Sequence, residues 1–253
     1  MDLAKKYIRG IYRKFDKLPV YYPGSLIKVG DILSFPGNKP LGEPNGIYGN
    51  LREDYLRGEI IEVYYDNGNL PYNFITNNEV SLEVSGSASA PNLGAGELKF
   101  SFSTEGATVL IAEGVNSEGM SDLRQLQSVI NLNSQEIDWN NKFVVTEVET
   151  ARKALIFQSE TKNAELLLKA NIENLEIAGE EIYGLDAEID FRVIRQSGAS
   201  FIIPWMDNIT VFMKLNRVKR NGRTSPFKNK SEFVDSYEIL ETYSLSEKLD
   251  VVK

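Results

Sequence analysis

The chain has neither cysteine nor histidine in its 253 residues. The first absence excludes disulfides, thiolate catalysis, cysteine-based metal sites and S-acylation. The second removes the commonest general base and the commonest metal ligand. Neither a Ser-His-Asp triad nor a zinc site of the usual kind can be written on these residues. Only carboxylate, Lys, Tyr or Ser-Lys chemistry would remain for an enzyme. No apolar run approaches the roughly 20 residues that a membrane helix needs. The opening MDLAKKYIRGIYRKF breaks its apolar residues with charge at every turn, which is not a signal-peptide pattern. The expectation is a soluble, cytoplasmic, non-catalytic chain with no cofactor and no metal. Its length is that of one large domain or two small ones, enough to bury a substantial core.

Charge is unevenly spread. The total is −8, so the chain as a whole is not expected to be drawn to nucleic acid or to anionic lipid. The first turns nevertheless carry Lys5, Lys6, Arg9, Arg13, Lys14 and Lys17 against Asp2 and Asp16. Read as a helix, Leu3, Tyr7, Ile8, Ile11, Tyr12 and Phe15 share one face, and Lys5, Arg9 and Arg13 recur on another. Such a basic amphipathic helix docks on a core or lies on an anionic membrane. A second basic stretch, Lys214 to Lys230, contains no acid, and its poor aromatic interleaving argues against nucleic acid. The tail then inverts to acid, with Glu232, Asp235, Glu238, Glu241, Glu247 and Asp250. Phe233, Tyr237 and Leu240 stand there at helix-like spacing, and an acidic amphipathic segment after a basic one points to a cover. The chain divides on this basis into a β-rich body, 1–230, and an acidic tail, 231–253.

Residues 18–58 are rich in Pro and Gly, with short strand candidates at Leu26–Val29 and Asp31–Phe35. From Val80 to Ala90 apolar and polar residues alternate, and Glu97–Ser103 returns with Leu98, Phe100 and Phe102 on one side. This is an amphipathic hairpin. Thr108–Ala112 reads as a strand, and Ser121–Leu132 as a helix capped by Ser121. Lys142–Ser159 is apolar and β-branched at first, then alternates. A polar turn at Glu160–Asn163 leads to Ala164–Ile172, which alternates again and reads as its hairpin partner. Ala187–Arg195, Ser200–Pro204 and Ile209–Leu215 are further strands. The fold class is α+β, a large, mainly antiparallel twisted β-sheet with a few packed helices.

Asn-Lys-Phe-Val-Val-Thr-Glu-Val-Glu-Thr-Ala-Arg-Lys-Ala-Leu-Ile at residues 141–156 resembles the Val-Val-Thr-Glu-Val strand of gasdermin pore-forming domains. Val144–Val148 is the sharp part of the match. The order of elements over residues 1–215 is loosely similar too. A basic helix precedes the entry segment LPVYYPGSLIKVGDIL (Leu18–Leu33). An amphipathic hairpin, a helix, the Val-Val-Thr-Glu-Val strand and a late Ser-Gly-Ala-Ser-Phe (Ser197–Phe201) follow. The resemblance implies a gasdermin-N-like fold and an autoinhibited pore former. Released by a protease, it would bind anionic lipid, self-associate and insert β-hairpins, causing cell death, with antiphage defence as one setting. It would be a cytoplasmic monomer when inactive and an oligomer in the inner (plasma) membrane when active. Lys5, Lys6, Arg9 and Arg13 would touch lipid. Residues 78–103 and 142–172 would insert, through Val80, Leu82, Val84, Leu98, Phe100, Phe102, Val144, Val145, Leu155, Phe157, Leu166 and Leu168. Phe233, Tyr237, Glu238, Leu240 and Glu241 would belong to the autoinhibitory tail. The short tail matches the compact bacterial kind, although the lipid-bearing N-terminal cysteine of some bacterial members is absent.

Two other readings compete. A non-catalytic β-rich binding or assembly module would use the same alternating strands as ordinary half-buried sheet. An enzyme would have to rely on carboxylates such as Glu180 and Glu181, or Asp186, Glu188 and Asp190, which on a strand more often form a solvated face.

Overall fold

The computed structural model describes residues 3–21, 27–76, 78–84, 97–133, 136–170, 175–177, 180–182, 191–221 and 236–242. The chain opens with helix α1 (Leu3–Phe15), strands β1 (Leu18–Pro19), β2 (Asp31–Ser34) and β3 (Gly46–Asn50), and the short helix α2 (Leu51–Asp54). Strands β4 (Val63–Ile75), β5 (Val80–Val84), β6 (Glu97–Phe102) and β7 (Thr108–Met120) lead to helix α3 (Leu123–Leu132). Then come β8 (Phe143–Ser159), β9 (Ala164–Ala170), β10 (Leu175–Ile177), β11 (Glu180–Ile182), β12 (Phe191–Ser197), β13 (Ala199–Asn221) and β14 (Ser236–Thr242). The fold is α+β, dominated by antiparallel strands with a few helices packed against them.

The larger sheet runs β4-β7-β8-β13-β14, with β1 also on β13 and the β2-β3 pair on the start of β8. A second sheet has the order β12-β9-β6-β5, and β10-β11 form a small pair. Central strands β7 and β8 have apolar residues on both sides because they are sandwiched. Leu110, Ala112, Ala154 and Ile156 face the main core beneath α1 and α3. Their neighbours Val109, Ile111, Leu155 and Phe157 face a second core beneath the smaller sheet. Strict alternation is lost in such strands, and a near-continuous apolar run replaces it.

Several sequence expectations change. The pairing of residues 142–159 with 164–172 as one hairpin is wrong. β8 pairs with β7 and β13, whereas β9 pairs with β6 and β12. Glu160–Asn163 is therefore a passage between sheets, since β8 already has a partner on each edge. The tail expected as a helix is a strand at residues 236–242. Tyr237, Ile239 and Thr242 favour strand, and β13 offers an open edge at Asn216–Asn221. Leu26–Val29 forms no strand in its described part, and the chain turns at Val29–Gly30. Helix α3 begins at Leu123, with Asp122 rather than Ser121 as its cap, accepting from the Arg124 amide at 2.8 Å. The candidates 200–204 and 209–215 are one strand, β13, 23 residues long. Strand β4 carries no clean alternation, because Asp66, Asn67, Gly68 and Pro71 interrupt it. It tolerates them as a sheet edge: among the described residues it pairs only with β7, and its ladder is irregular between Asp66 and Tyr72.

The second sheet departs from the first at two joints. One lies between β4 and β5 and between β6 and β7. The other lies between β8 and β9 and between β12 and β13. Gly198 closes the second joint with φ +62, its carbonyl accepting from the amides of Glu160 and Thr161 at 2.9 and 3.0 Å. A Cβ there would stand 2.3 Å from Thr161 Oγ1. Gly198→Ala is expected to cost about 1–3 kcal/mol through left-handed backbone strain and this clash. A urea titration checks it, with a lower midpoint at unchanged m-value.

Candidate functional site

The two joints interrupt ladders that are nearly continuous. In the large sheet β4 ends with Ile75 opposite Val109, and in the small one β5 begins with Val80 opposite Phe102. Five positions on one strand are met by seven on the other, so the register slips by two across the joint. On the other side Ser159 faces Ala199 and Glu165 faces Ser197, so six positions meet two and the slip is four. Side chains alternate with period two, so an even slip leaves cross-strand partners in step, each residue still sharing a face with the residues opposite it. Each joint is therefore a bend in one long hairpin, β4-β5 against β6-β7 and β8-β9 against β12-β13.

The smaller sheet has two chemically different faces. Leu98, Phe100 and Phe102 are buried on one, with Leu82 opposite Phe100 and Leu166 opposite Phe100 on its other side. The other face carries Glu83 opposite Lys99, and the Lys99 ammonium lies 3.2 Å from the Glu165 carboxylate. Of the twelve apolar residues expected in the hairpins, seven are buried in the second core: Leu98, Phe100, Phe102, Leu155, Phe157, Leu166 and Leu168. Val80, Leu82 and Val84 pack against it, partly buried. Val144 and Val145 are not part of this group. They sit at the opposite end of β8, in the main core. Residues 85–96, the expected hairpin tip, lie outside the described residues.

Helix α1 buries Tyr7, Ile8, Ile11 and Tyr12 and exposes Lys5, Arg9 and Arg13. Burial among apolar neighbours pushes the Tyr7 phenol far up, with Tyr21 adding to the shift. Lys6 does not join the exposed cations. Its ammonium donates to the Glu105 carbonyl at 2.8 Å and lies 2.9 Å from the Glu79 carboxylate.

At the far end of α1, Lys17 donates to Glu149 Oε1 and to Tyr72 Oη, each at 2.5 Å, and stands over the Tyr72 ring. Glu149 is only 8 % exposed at its side chain. Burial alone would lower the Lys17 pKa, but the hydrogen bonds to Glu149 and Tyr72 outweigh it and the net shift is upward. A lysine raised in the folded state adds stability below its ordinary value of 10.5 and loses it as pH rises through the higher folded value. The pair therefore holds throughout the neutral range. Beside it, a cleft of about 370 Å³ opens between Tyr12, Glu147 and Met213. Four of its charged groups serve one another, Lys17 pairing with Glu149 and Lys214 lying 3.2 Å from Glu147. Sequence reading counted Lys17 as one more surface cation and passed over Glu149 and Tyr72. Only distant pairing brings them together.

Strand β14 places Tyr237, Glu238, Leu240 and Glu241 of the acidic tail along β13. Glu238 stands opposite Lys219 and Tyr237 opposite Arg220 in the ladder. Phe233 and the rest of the basic stretch, 222–230, lie outside the described residues. Glu180 and Glu181 fall in β11, while Asp186, Glu188 and Asp190 lie outside the described residues.

Lys17→Met should destabilise the protein by about 2–3 kcal/mol, because Glu149 would stay buried without its partner and Lys17 is itself partly exposed. Lys214→Met, at a more exposed pair, should cost under about 1 kcal/mol. Thermal unfolding of the two variants at pH 7 tests the contrast, and adding Glu149→Gln to Lys17→Met should recover part of the loss.

No family model matches the chain, and no curated protein matches it.

Proposed function

We propose that this chain is an autoinhibited pore former of gasdermin-like type, which binds anionic membrane, self-associates and inserts two β-hairpins. The observation that carries the reading is the pair of bent hairpins with even register slips. Straightening either joint would extend an existing ladder with its two strands still in step, so that partners across the hairpin share a face along its whole length. A barrel strand crosses the hydrocarbon layer with about 9–11 residues, and each extended leg exceeds that length.

Energetics supports insertion only at a membrane. Leu98, Phe100, Phe102, Leu166 and Leu168 are fully buried beneath the smaller sheet. Exposing each to water would cost about 1.5–3 kcal/mol. Lipid removes that cost, so the extended form is reachable in a bilayer and not in solution. Open strand edges in lipid would each leave unpaired backbone groups, so the hairpins must associate into a closed ring. Lys5, Arg9 and Arg13, exposed together on α1, supply the attraction to anionic headgroups. β14 supplies the restraint by occupying the edge of β13 that a neighbouring copy would otherwise meet. Proteolysis between the body and β14 would release it, and cell death would follow from the leak, with defence against phage as one setting.

Dye release from anionic liposomes tests this. The full chain should be silent and a chain cut near Lys230 should leak, at a rate that falls at least about tenfold in Arg9→Glu/Arg13→Glu and falls with added salt. Absence of leakage from both forms at every concentration would overturn the proposal. A fixed complex with a protein partner and no lipid dependence would favour a binding module instead.

A further inference from the structure

The first turn of α1 touches both joints at once. Lys6 reaches the first: its ammonium donates to the Glu105 carbonyl at 2.8 Å and to Thr104 Oγ1 at 3.4 Å, and lies 2.9 Å from a Glu79 carboxylate oxygen. Glu79 precedes β5, and Thr104 and Glu105 follow β6, so one cation spans the two strands where the hairpin bends. Gly106 makes room for it. With φ +79 and no side chain, it lets the Lys6 stem pass where a Cβ would stand 2.7 Å from Lys6 Cδ.

The second joint is held from the same turn. Gln158, at the end of β8, donates from Nε2 to the Leu3 carbonyl at 3.1 Å and to the Gly106 carbonyl at 3.3 Å. Its neighbour Ser159 donates from Oγ to the Thr104 carbonyl at 2.6 Å. The Gly106 amide donates to the Ser159 carbonyl at 2.8 Å, and the Ser159 amide donates to the Ala107 carbonyl at 2.9 Å. The two joints thus share one polar node, with α1 as its lid. Neither ladder can straighten without breaking contacts of the other.

We infer that Lys6 is a latch, not a lipid contact: through Glu79, Thr104 and Glu105 it locks both bends, so the two hairpins open as one cooperative unit when the first turn of α1 lifts. The side chain is 25 % exposed and Glu79 29 %, which leaves the pair weakly screened but still reachable by competing anions. Lys6 therefore acts opposite to its neighbours on α1. Arg9 and Arg13 serve attraction, and Lys6 serves restraint. The latch stands on the geometry of the monomer and does not require that the chain form pores.

Hydrogen–deuterium exchange of the full chain, without lipid, tests it. In Lys6→Met and in Glu79→Gln, amides of 97–107 and of 159–170 should exchange roughly tenfold faster together, while 143–150 in the main core stays protected. Lys14→Met, on the same helix, should leave both regions unchanged. The charge swap Lys6→Glu with Glu79→Lys should restore much of the protection. The inference is overturned if only the segment around residue 6 responds, if 97–107 speeds up without 159–170, or if protection falls uniformly through 143–150. Because the readout needs no membrane, its failure would leave the leakage result standing, and a failure to leak would leave the latch standing.

Discussion

The 17 residues of β8 run through the protein with neighbours on both edges and both faces, and Arg152 alone among them is exposed. A strand so enclosed must find a hydrogen-bond partner for each backbone group and an apolar neighbour for nearly every side chain. β7 and β13 satisfy the edges. The main core and the second core satisfy the faces. The smaller sheet exists because the end of β8 and the adjoining part of β7 would otherwise present Val109, Ile111, Leu155 and Phe157 to water. The bends in the two hairpins follow from that need: the chain doubles back to cover its own central strands.

Periodicity revealed the strands whose two faces differ. β5 and β6 could be read from Val80–Val84 and Glu97–Phe102, since one face is core and the other solvated. The apolar stripe of α1 was equally legible, and the α+β class followed. Pairing was harder to see. Nothing local in Glu160–Asn163 separates a hairpin turn from a passage between sheets. The difference lies in whether β8 has a free edge, and β13, some fifty residues later, decides that. β4 was hidden because edge strands tolerate the Gly, Asn and Pro that elsewhere mark loops. The strand state of residues 236–242 depends on the edge of β13, so its helix-like spacing misled.

The basic helix shows how charge counts conceal division of labour. Lys5, Lys6, Arg9 and Lys17 look equivalent in a sequence. In the fold, Arg9 meets solvent, Lys6 bridges a bend, and Lys17 is held between Glu149 and two aromatic rings. The difference is set by contact partners 55 to 132 residues away, for example Tyr72 and Glu149 for Lys17. Desolvation makes such contacts strong in one place and negligible in another.

The partners of α1 also set a timetable. Leu18 pairs with Met213, Val20 donates its amide to the Val211 carbonyl, and Leu3 receives its hydrogen bond from Gln158. The helix is thus made well before β13, the strand that completes its seat. At about 5–20 residues per second, its apolar and cationic faces stay uncovered for roughly 10–40 seconds while the strands that receive them are made. A nascent chain of this protein is a free basic amphipathic peptide for longer than most of its folding steps take, and any crowding anionic surface near the exit tunnel would compete with β13 for it.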